Sequence, residues 1–480
     1  MATSRRPHQA SRLRSRWLWA CLVVPLVLAA AAVSGVLALR NSGFTPRQVL
    51  DRLDERLQGH SIALVVANPV LSLVRRGLDE PSAAERRAIP FVVPPLPPLQ
   101  RALSTATTAP DAAVLGARIL RVGPEEAIRT VAAAARLARD GDVVEITAGE
   151  YRDDVAVWLQ KRLFIRAVGG RVRLRAEGAL AEGKAIWVVR NGDFDIAGID
   201  FVGARAIDRN GAGIRIESGR LRVRDCVFWG SDSGILTGNY AGRGVERVEI
   251  EASEFGYLGH GDGQSHHVYV EASELFRVVG SYFHHGNTGH LIKSRSAVND
   301  IRYNRITDER GGRASYEIDL PNGGIAVLVG NVVQQNRDTE NPALISYGRE
   351  GYRWPVNRLF LVNNTLVNEH PHGGAFVRAA AGNDGVYAAN NLLVGIGRYH
   401  VPEHVEAVHD VRGEAAWFYD AAAYDYRLTA RWQGRGWTPP PFANPDSVAH
   451  VPVAEYAHPR QVRTLDGPLM HPGAFQRPAQ

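Results

Sequence analysis

The sequence predicts an all-β fold, a coil of stacked parallel strands, carried behind a single membrane-spanning helix. Three observations predict it. Apolar anchors recur through the body at a near-constant interval, a second set of small polar residues recurs two positions before them, and one uncharged apolar run stands near the N-terminus.

The run comes first in the chain. "WLWACLVVPLVLAAAAVSGVLAL", residues 17 to 39, holds 23 apolar or small residues and no charge. At ~1.5 Å per residue it crosses a hydrocarbon core of ~30 Å with some tilt. Five arginines precede it and no acid flanks it, which keeps the N-terminus cytoplasmic and exports the body. A cleaved signal peptide is the competing reading, with small residues near Ala38 as the cleavage site. The run exceeds the ~7–15 residues of an h-region, which favours an uncleaved anchor. The expected location is a bacterial inner membrane, single-pass, with the body periplasmic or extracellular.

Charge excludes one class of partner. The formal net charge is +6, and residues 1–40 contain six arginines and no acid. The remaining chain has 50 basic residues against 50 acidic ones. A balanced body has no electrostatic footprint for a polyanion, so nucleic acid is not expected as a partner. The two cysteines, Cys21 in the apolar run and Cys226 deep in the body, suggest no internal disulfide.

Residues 41–116 read as a connector. "TPRQVLDRLDERLQ" has Thr45 as N-cap and Pro46 at the first helical position. "IPFVVPPLPPLQ" reads as a stiff, extended spacer, with the boundary of the body near residue 115.

The body, residues 117–400, repeats. In "GIDF", "CVFW", "SEFG", "SYFH", "NRIT", "NVVQ", "NTLV" and "NLLV" the anchors are Phe201, Phe228, Phe255, Phe283, Ile306, Val333, Leu366 and Leu393. Their spacings are 27, 27, 28, 23, 27, 33 and 27 residues, a period that implies stacked supersecondary units. The apolar runs are short, alternate with period two and end in Gly, Asn or Asp, so the units are strands and turns. Two residues before the anchors stand Cys226, Ser253, Ser281, Asn304, Asn331, Asn364 and Asn391. Stacked Asn side chains bond to one another and to turn backbone along the axis. An ordinary sandwich does not explain that constant offset.

An open coil needs its end covered. "PEEAIRTVAAAARLARDG" is an amphipathic candidate cap, with Pro124 near its start and Gly141 at its end. With "GDVVEITAGEY" after it, this stretch resembles the entry segment of right-handed parallel β-helix proteins of the pectin-lyase-like superfamily. "DYRLTA" and the terminal "GAFQ" are similar to closing segments of such proteins. The resemblance covers roughly residues 117 to 430, with a trace to 476, and implies the fold; its members include lyases, hydrolases, epimerases and non-enzymatic adhesins. Residues 401–480 are expected to form an irregular cap and tail over the last coil.

The long connections after the anchors carry His260, Asp262, His266, His267, His284, His285, His290, Asp308, Glu309, His370 and His372, which stacking would align along one edge. Their spacing fits no tight metal motif, and calcium is kept as a candidate cofactor only. Each connection feeds a strand: "HHVYVE", "HLIKSR", "SYEIDL", "LISYGRE". Burying Val268, Ile292 and Ile318 sends their neighbours outward, giving a solvent stripe of His267, Tyr269, Lys293, Arg295, Glu317 and Asp319, with Tyr347 and Arg349 beyond. At ~4.8 Å between strands these groups reach one sugar-sized ligand.

One reading of the stripe is a charge ladder for solubility and register. The other is the floor of a groove for an acidic polysaccharide. Only three lysines occur among 56 basic residues, and Lys293 beside Arg295 has the setting of a lysine base. A uronate lyase or epimerase would use Arg295 and Arg349 on the sugar carboxylate, Lys293 or His290 as base, and Tyr269 or His267 as acid, with Glu317, Asp319 and Tyr347 binding substrate. Such sets resemble those of β-helix polysaccharide lyases, without a family-defining calcium cluster or epimerase signature. A glycoside hydrolase would pair Glu317 or Asp319 with Asp262 or Asp308. A non-catalytic envelope scaffold that binds glycan is the third alternative.

Overall fold

The structure is a computed structural model that describes residues 90–99 and 116–477, apart from 340, 404, 433, 435 and 441–449. The apolar run 17–39 and the helix expected after Thr45 lie outside the described residues. Among the described residues no helix is long and apolar enough to cross a membrane.

The chain winds into a parallel β-helix of the right-handed type, with three strand positions per coil. In the coil anchored by Phe283 they are Leu275–Val279 on sheet I, Tyr282–His284 on sheet II and His290–Ser294 on sheet III. A two-residue corner joins sheets I and II. The variable connection joins II to III. Sheet III is ten strands deep, and sheets I and II share one hydrogen-bonded network.

Both expected columns are present. Parallel pairing places Phe201, Phe228, Phe255, Phe283, Ile306, Val333, Leu366 and Leu393 in one register. The first four rings stack at 4.6 to 5.1 Å with interplanar angles of 8° or less. Asn304 donates to Asn331 Oδ1 (3.0 Å), Asn331 to Asn364 (3.0 Å) and Asn364 to Asn391 (3.1 Å). Asp410 ends the series by accepting from Asn391, and Ser281, Ser253 and Cys226 continue it upstream through backbone N–H donors. The residue just before each ladder position takes a left-handed conformation, as Asp225, Ala252, Tyr303, Asn363 and Asn390 do. That conformation turns the chain between sheets within two residues.

Alternation fails in several coils where the chain enters sheet III. Backbone partners there skip a residue: His290 pairs with Tyr316 and Ile292 with Ile318, leaving Leu291 and Glu317 between them. The skipped column, His267, Leu291, Glu317, Leu344 and Phe376, is buried beside the aliphatic column that follows it. Upstream it contains Gly213 and Gly234, where a Cβ would stand 2.6 Å from the Phe228 ring and 2.7 Å from the Phe255 ring. The corner therefore points inward, and glycine makes room for the phenyl stack.

The ends differ from the sequence reading. The N-terminal helix α1, Val131–Leu137, has seven residues and not the span from 124 to 141. Thr130 caps it through Ala133 N–H, and the Asp154 carboxylate accepts from Val131 and Ala132 N–H, so the helix starts where those donors are satisfied. Val131, Ala134 and Ala135 are buried in the core of the coil. The Pro-rich residues 90–99, expected to be a spacer, lie on the coil. Pro94 O accepts from Trp229 Nε1 (2.8 Å), Pro97 O from Arg173 (2.9 Å), and Leu96 packs with Val202, Val227 and Trp229. The C-terminal residues run back along sheets I and II; they do not simply cover the last coil. Two antiparallel hairpins, Phe418–Asp420 with Asp425–Leu428 and Ala454–Ala457 with Gln461–Thr464, lie there. Arg460 reaches Asp225 and Glu254, more than 200 residues earlier.

Candidate functional site

Sheet III carries the expected cluster on its outer face. Register puts Tyr269 beside Lys293, Lys293 beside Asp319, and Asp319 beside Ser346. Arg295, directly after the strand His290–Ser294, donates to Tyr269 Oη at 3.2 Å. Tyr269 donates in turn to Glu271 at 2.6 Å. His290 Nδ1 is 3.2 Å from Asp319 Oδ2, and Lys293 Nζ is 3.6 Å from the same oxygen. The His290 ring stacks on His266 at 4.7 Å, while its backbone N–H donates to His266 Nδ1 at 3.1 Å. That bond leaves the His266 proton on Nε2. Burial, and then the charges of His290 and Lys293, keep His266 neutral.

Glu350 completes the cluster. It sits on a turn after Ala343–Tyr347, fixed by its N–H to Pro321 O (2.9 Å). Lys293 donates to its Oε1 at 3.1 Å and Arg295 to its Oε2 at 2.6 Å, so two cations hold one carboxylate, one oxygen each. The side chains of Lys293 and Arg295 are 13% and 15% exposed, against 46% for Glu350. The acid is the accessible member. Burial pushes the Glu350 carboxyl up, but Arg295 and Lys293 outweigh it and hold the group below the usual carboxylate range. Asp319 behaves likewise, with burial more than offset by His290 and Lys293. No repeat or alternation signal singled out Glu350, because it stands on a turn beyond the strand.

Five of the nine residues singled out in the sequence converge here: Tyr269, His290, Lys293, Arg295 and Asp319. Three turn inward. His267 and Glu317 occupy the inward corner column, and Tyr347 is fully buried with its hydroxyl on Gly324 O. Arg349 is exposed and makes no hydrogen bond or ion pair to the cluster. Asp319 and Glu350 lie against Lys293, so the cation Arg295 is not its only charged neighbour.

The histidines and acids of the long connections do not share one edge. His266 and His290 face out from sheet III, His267 faces in, and His284 and His285 contact each other at the end of a sheet II strand (2.7 Å between Nδ1 atoms). His260 pairs with Asp232. Among the described residues no group of three or more His, Cys, Asp or Glu is placed to hold a metal ion. Of the carboxyls suggested for a hydrolase, Glu317 points into the core and both Asp308 oxygens accept backbone N–H bonds from Gly286 and Ala314, whereas Asp319 lies in the sheet III cluster.

No family model matches the chain, and no curated protein sequence does. Among solved structures, the crystal structure of pectate lyase Pel9A is similar over 76% of this chain and 98% of that one, at 12% identity and a TM-score of 0.43. A likeness of that extent carries no argument about the site.

Proposed function

We propose that the protein binds an acidic polysaccharide along sheet III and acts on it as a uronate lyase or epimerase, held at a membrane by residues 17–39. One observation supports this most: Lys293 and Arg295 close on the two oxygens of the half-exposed Glu350. Two fixed cations spaced to take one oxygen each form a seat for a carboxylate, and a uronate carboxylate can replace that of Glu350.

With the sugar carboxylate in that seat, its charge is offset and the adjacent C–H is acidified. The neutral form of His290, its Nδ1 directed at Asp319 and its ring stacked on His266, takes the proton on Nε2. Lys293 then serves as a clamp charge, and the base role considered for it passes to His290. In a lyase the electron pair of the C–H bond forms the C4–C5 double bond, the C4–O bond breaks, and Tyr269 protonates the departing oxygen. Burial and the Glu271 bond raise the Tyr269 hydroxyl above its ordinary range, so at neutral pH it keeps the proton that this step needs. In an epimerase Tyr269 gives its proton to the opposite face of the same carbon, and Tyr269 and His290 then return to their starting forms by exchange with solvent.

A second reading has its own support. The three acids Asp319, Glu350 and Glu271 already compensate Lys293 and Arg295, which suits a scaffold whose sheet binds glycan without turning it over. Incubation with pectate or alginate separates the two. A lyase gives rising ultraviolet absorbance from the conjugated double bond, an epimerase exchanges the C5 proton with solvent deuterium, and a scaffold does neither. Lys293→Ala is expected to lower activity at least ~100-fold, as loss of charge stabilisation does. Unchanged turnover in that variant would end the proposed mechanism.

A further inference from the structure

Outside sheet III the two C-terminal hairpins meet the coil and do not close on it. Between them remains a cavity of about 780 Å³, within the range of roughly 300–1,000 Å³ usual for ligand sites. Its floor is the outer face of sheet II over three consecutive coils, where Tyr282, Arg305 and Val332 stand in register. One wall comes from the hairpin Phe418–Leu428, the other from the hairpin Ala454–Thr464.

Three features of the lining select a ligand chemistry. Aromatic faces come first: Tyr282 and Tyr424 flank the Arg305 guanidinium at 5.0 and 5.8 Å, and Tyr419, 56% exposed, stands at the lining with Arg427 over its ring at 5.3 Å. An aromatic ring left that exposed beside a cavity is an open platform. The second feature is an acceptor with spare capacity. Tyr282 Oη (2.7 Å), Thr307 Oγ1 (2.8 Å) and Arg305 (2.7 Å) all donate to Glu309 Oε1, whereas no hydrogen bond among the described residues ends on Oε2. Third, charge is balanced. Four arginines face four carboxylates in the lining; among the described residues three pairs form, and Arg463 and Asp420 are the members without an ion pair. Balanced charge disfavours a polyanion, and the abundance of polar walls disfavours a lipid.

We propose that this cavity is a second carbohydrate site, taking one or two uncharged sugar rings through stacking on Tyr419 and hydroxyl hydrogen bonds to Glu309 Oε2. Sugar C–H faces suit tyrosine rings, sugar hydroxyls both donate to a carboxylate and accept from a guanidinium, and a neutral ligand leaves the balance of the walls intact. The site is distinct from the carboxylate seat on sheet III and does not depend on it. Together the two would let one coil hold a glycan of mixed composition, its acidic part on sheet III and a neutral unit on sheet II.

The test titrates the full chain with cellobiose, maltose and N,N′-diacetylchitobiose, and with digalacturonate as the acidic comparison, by calorimetry and saturation-transfer NMR. At least one neutral disaccharide is expected to bind saturably. Its affinity should fall ten-fold or more in Tyr419→Ala, an exposed position whose loss leaves the fold intact, and in Glu309→Gln. Lys293→Ala should not change it. The proposal is overturned if no neutral disaccharide binds below about 20 mM, if binding persists unchanged in Tyr419→Ala, or if digalacturonate alone binds and Lys293→Ala abolishes it.

Discussion

Lys293 lies in the strand His290–Ser294 and Arg295 directly after it, and what surrounds them decides their role. Both are held by Glu350, the exposed partner, so the seat is occupied from within the chain. If uronate competes with Glu350, Glu350→Gln weakens the internal occupant and should tighten digalacturonate binding several-fold, read as a lower Kd by calorimetry. A weaker or unaltered Kd would count against the seat. Glu317 makes a different case. Its two carboxyl oxygens have no partner in the core, and burial, with Asp308 as a smaller contributor, raises its carboxyl well above the ordinary range. A raised acid gives stability that is full below its unfolded value of ~4.3 and is lost as pH rises toward the folded value. Glu317→Leu matches Leu291 and Leu344 on either side in the column. It should stabilise the protein by about 1–3 kcal/mol at pH 7 and remove the fall in stability above pH ~4.3. Urea midpoints across pH measure both, and a variant whose gain over the parent is no larger at pH 7 than at pH 4 would refute the account.

At the scale of the element, the asparagine ladder and the phenyl stack fix the coil by different means. The stack buries area. The ladder satisfies turn backbone that would otherwise be left unpaired in the interior, since Asn331 bonds both to Asn364 and to Ile301 O while accepting from Asn304. Removing one member strands donors and acceptors on two neighbours. Asn331→Ala is therefore expected to cost about 2–4 kcal/mol, beyond a surface Asn→Ala change. An unfolding midpoint that barely moves would mean the ladder is decorative. The corner column was not legible in the sequence, because strict alternation assumes a straight strand and sheet III begins on a bend. His267 and Glu317 therefore turn inward where alternation expects them outside, and Tyr347 turns inward because it stands in register with buried Leu320, two positions after Ile345.

At the scale of the whole molecule, segments from both ends of the body lie against the coil, the first on sheet II and the second on sheet I and its corner. Residues 90–99 cover Trp229, Val202 and Val227, and the tail from Ala454 onward covers Tyr303, Val327 and Phe360. A chain beginning at residue 116 should thus expose the Trp229 patch. It is expected to bind a hydrophobic dye more strongly and to melt several degrees lower than a chain beginning at residue 88. Equal melting temperatures would show that the segment contributes nothing to the body.

The amino-acid order alone determined the coil, its period, its anchors and its ladder, because a repeat encodes its own neighbours: equal spacing becomes contact once strands stack. It also brought Tyr269, His290, Lys293, Arg295 and Asp319 to one surface, since register along a stack is one-dimensional. Only the tertiary structure decided which side of the corner Glu317 and His267 take, that Glu350 closes the clamp, and that two distant hairpins leave a cavity over Tyr282 and Arg305. Those depend on bends, turns and returning segments, where the interval between residues carries no information about the direction a side chain takes.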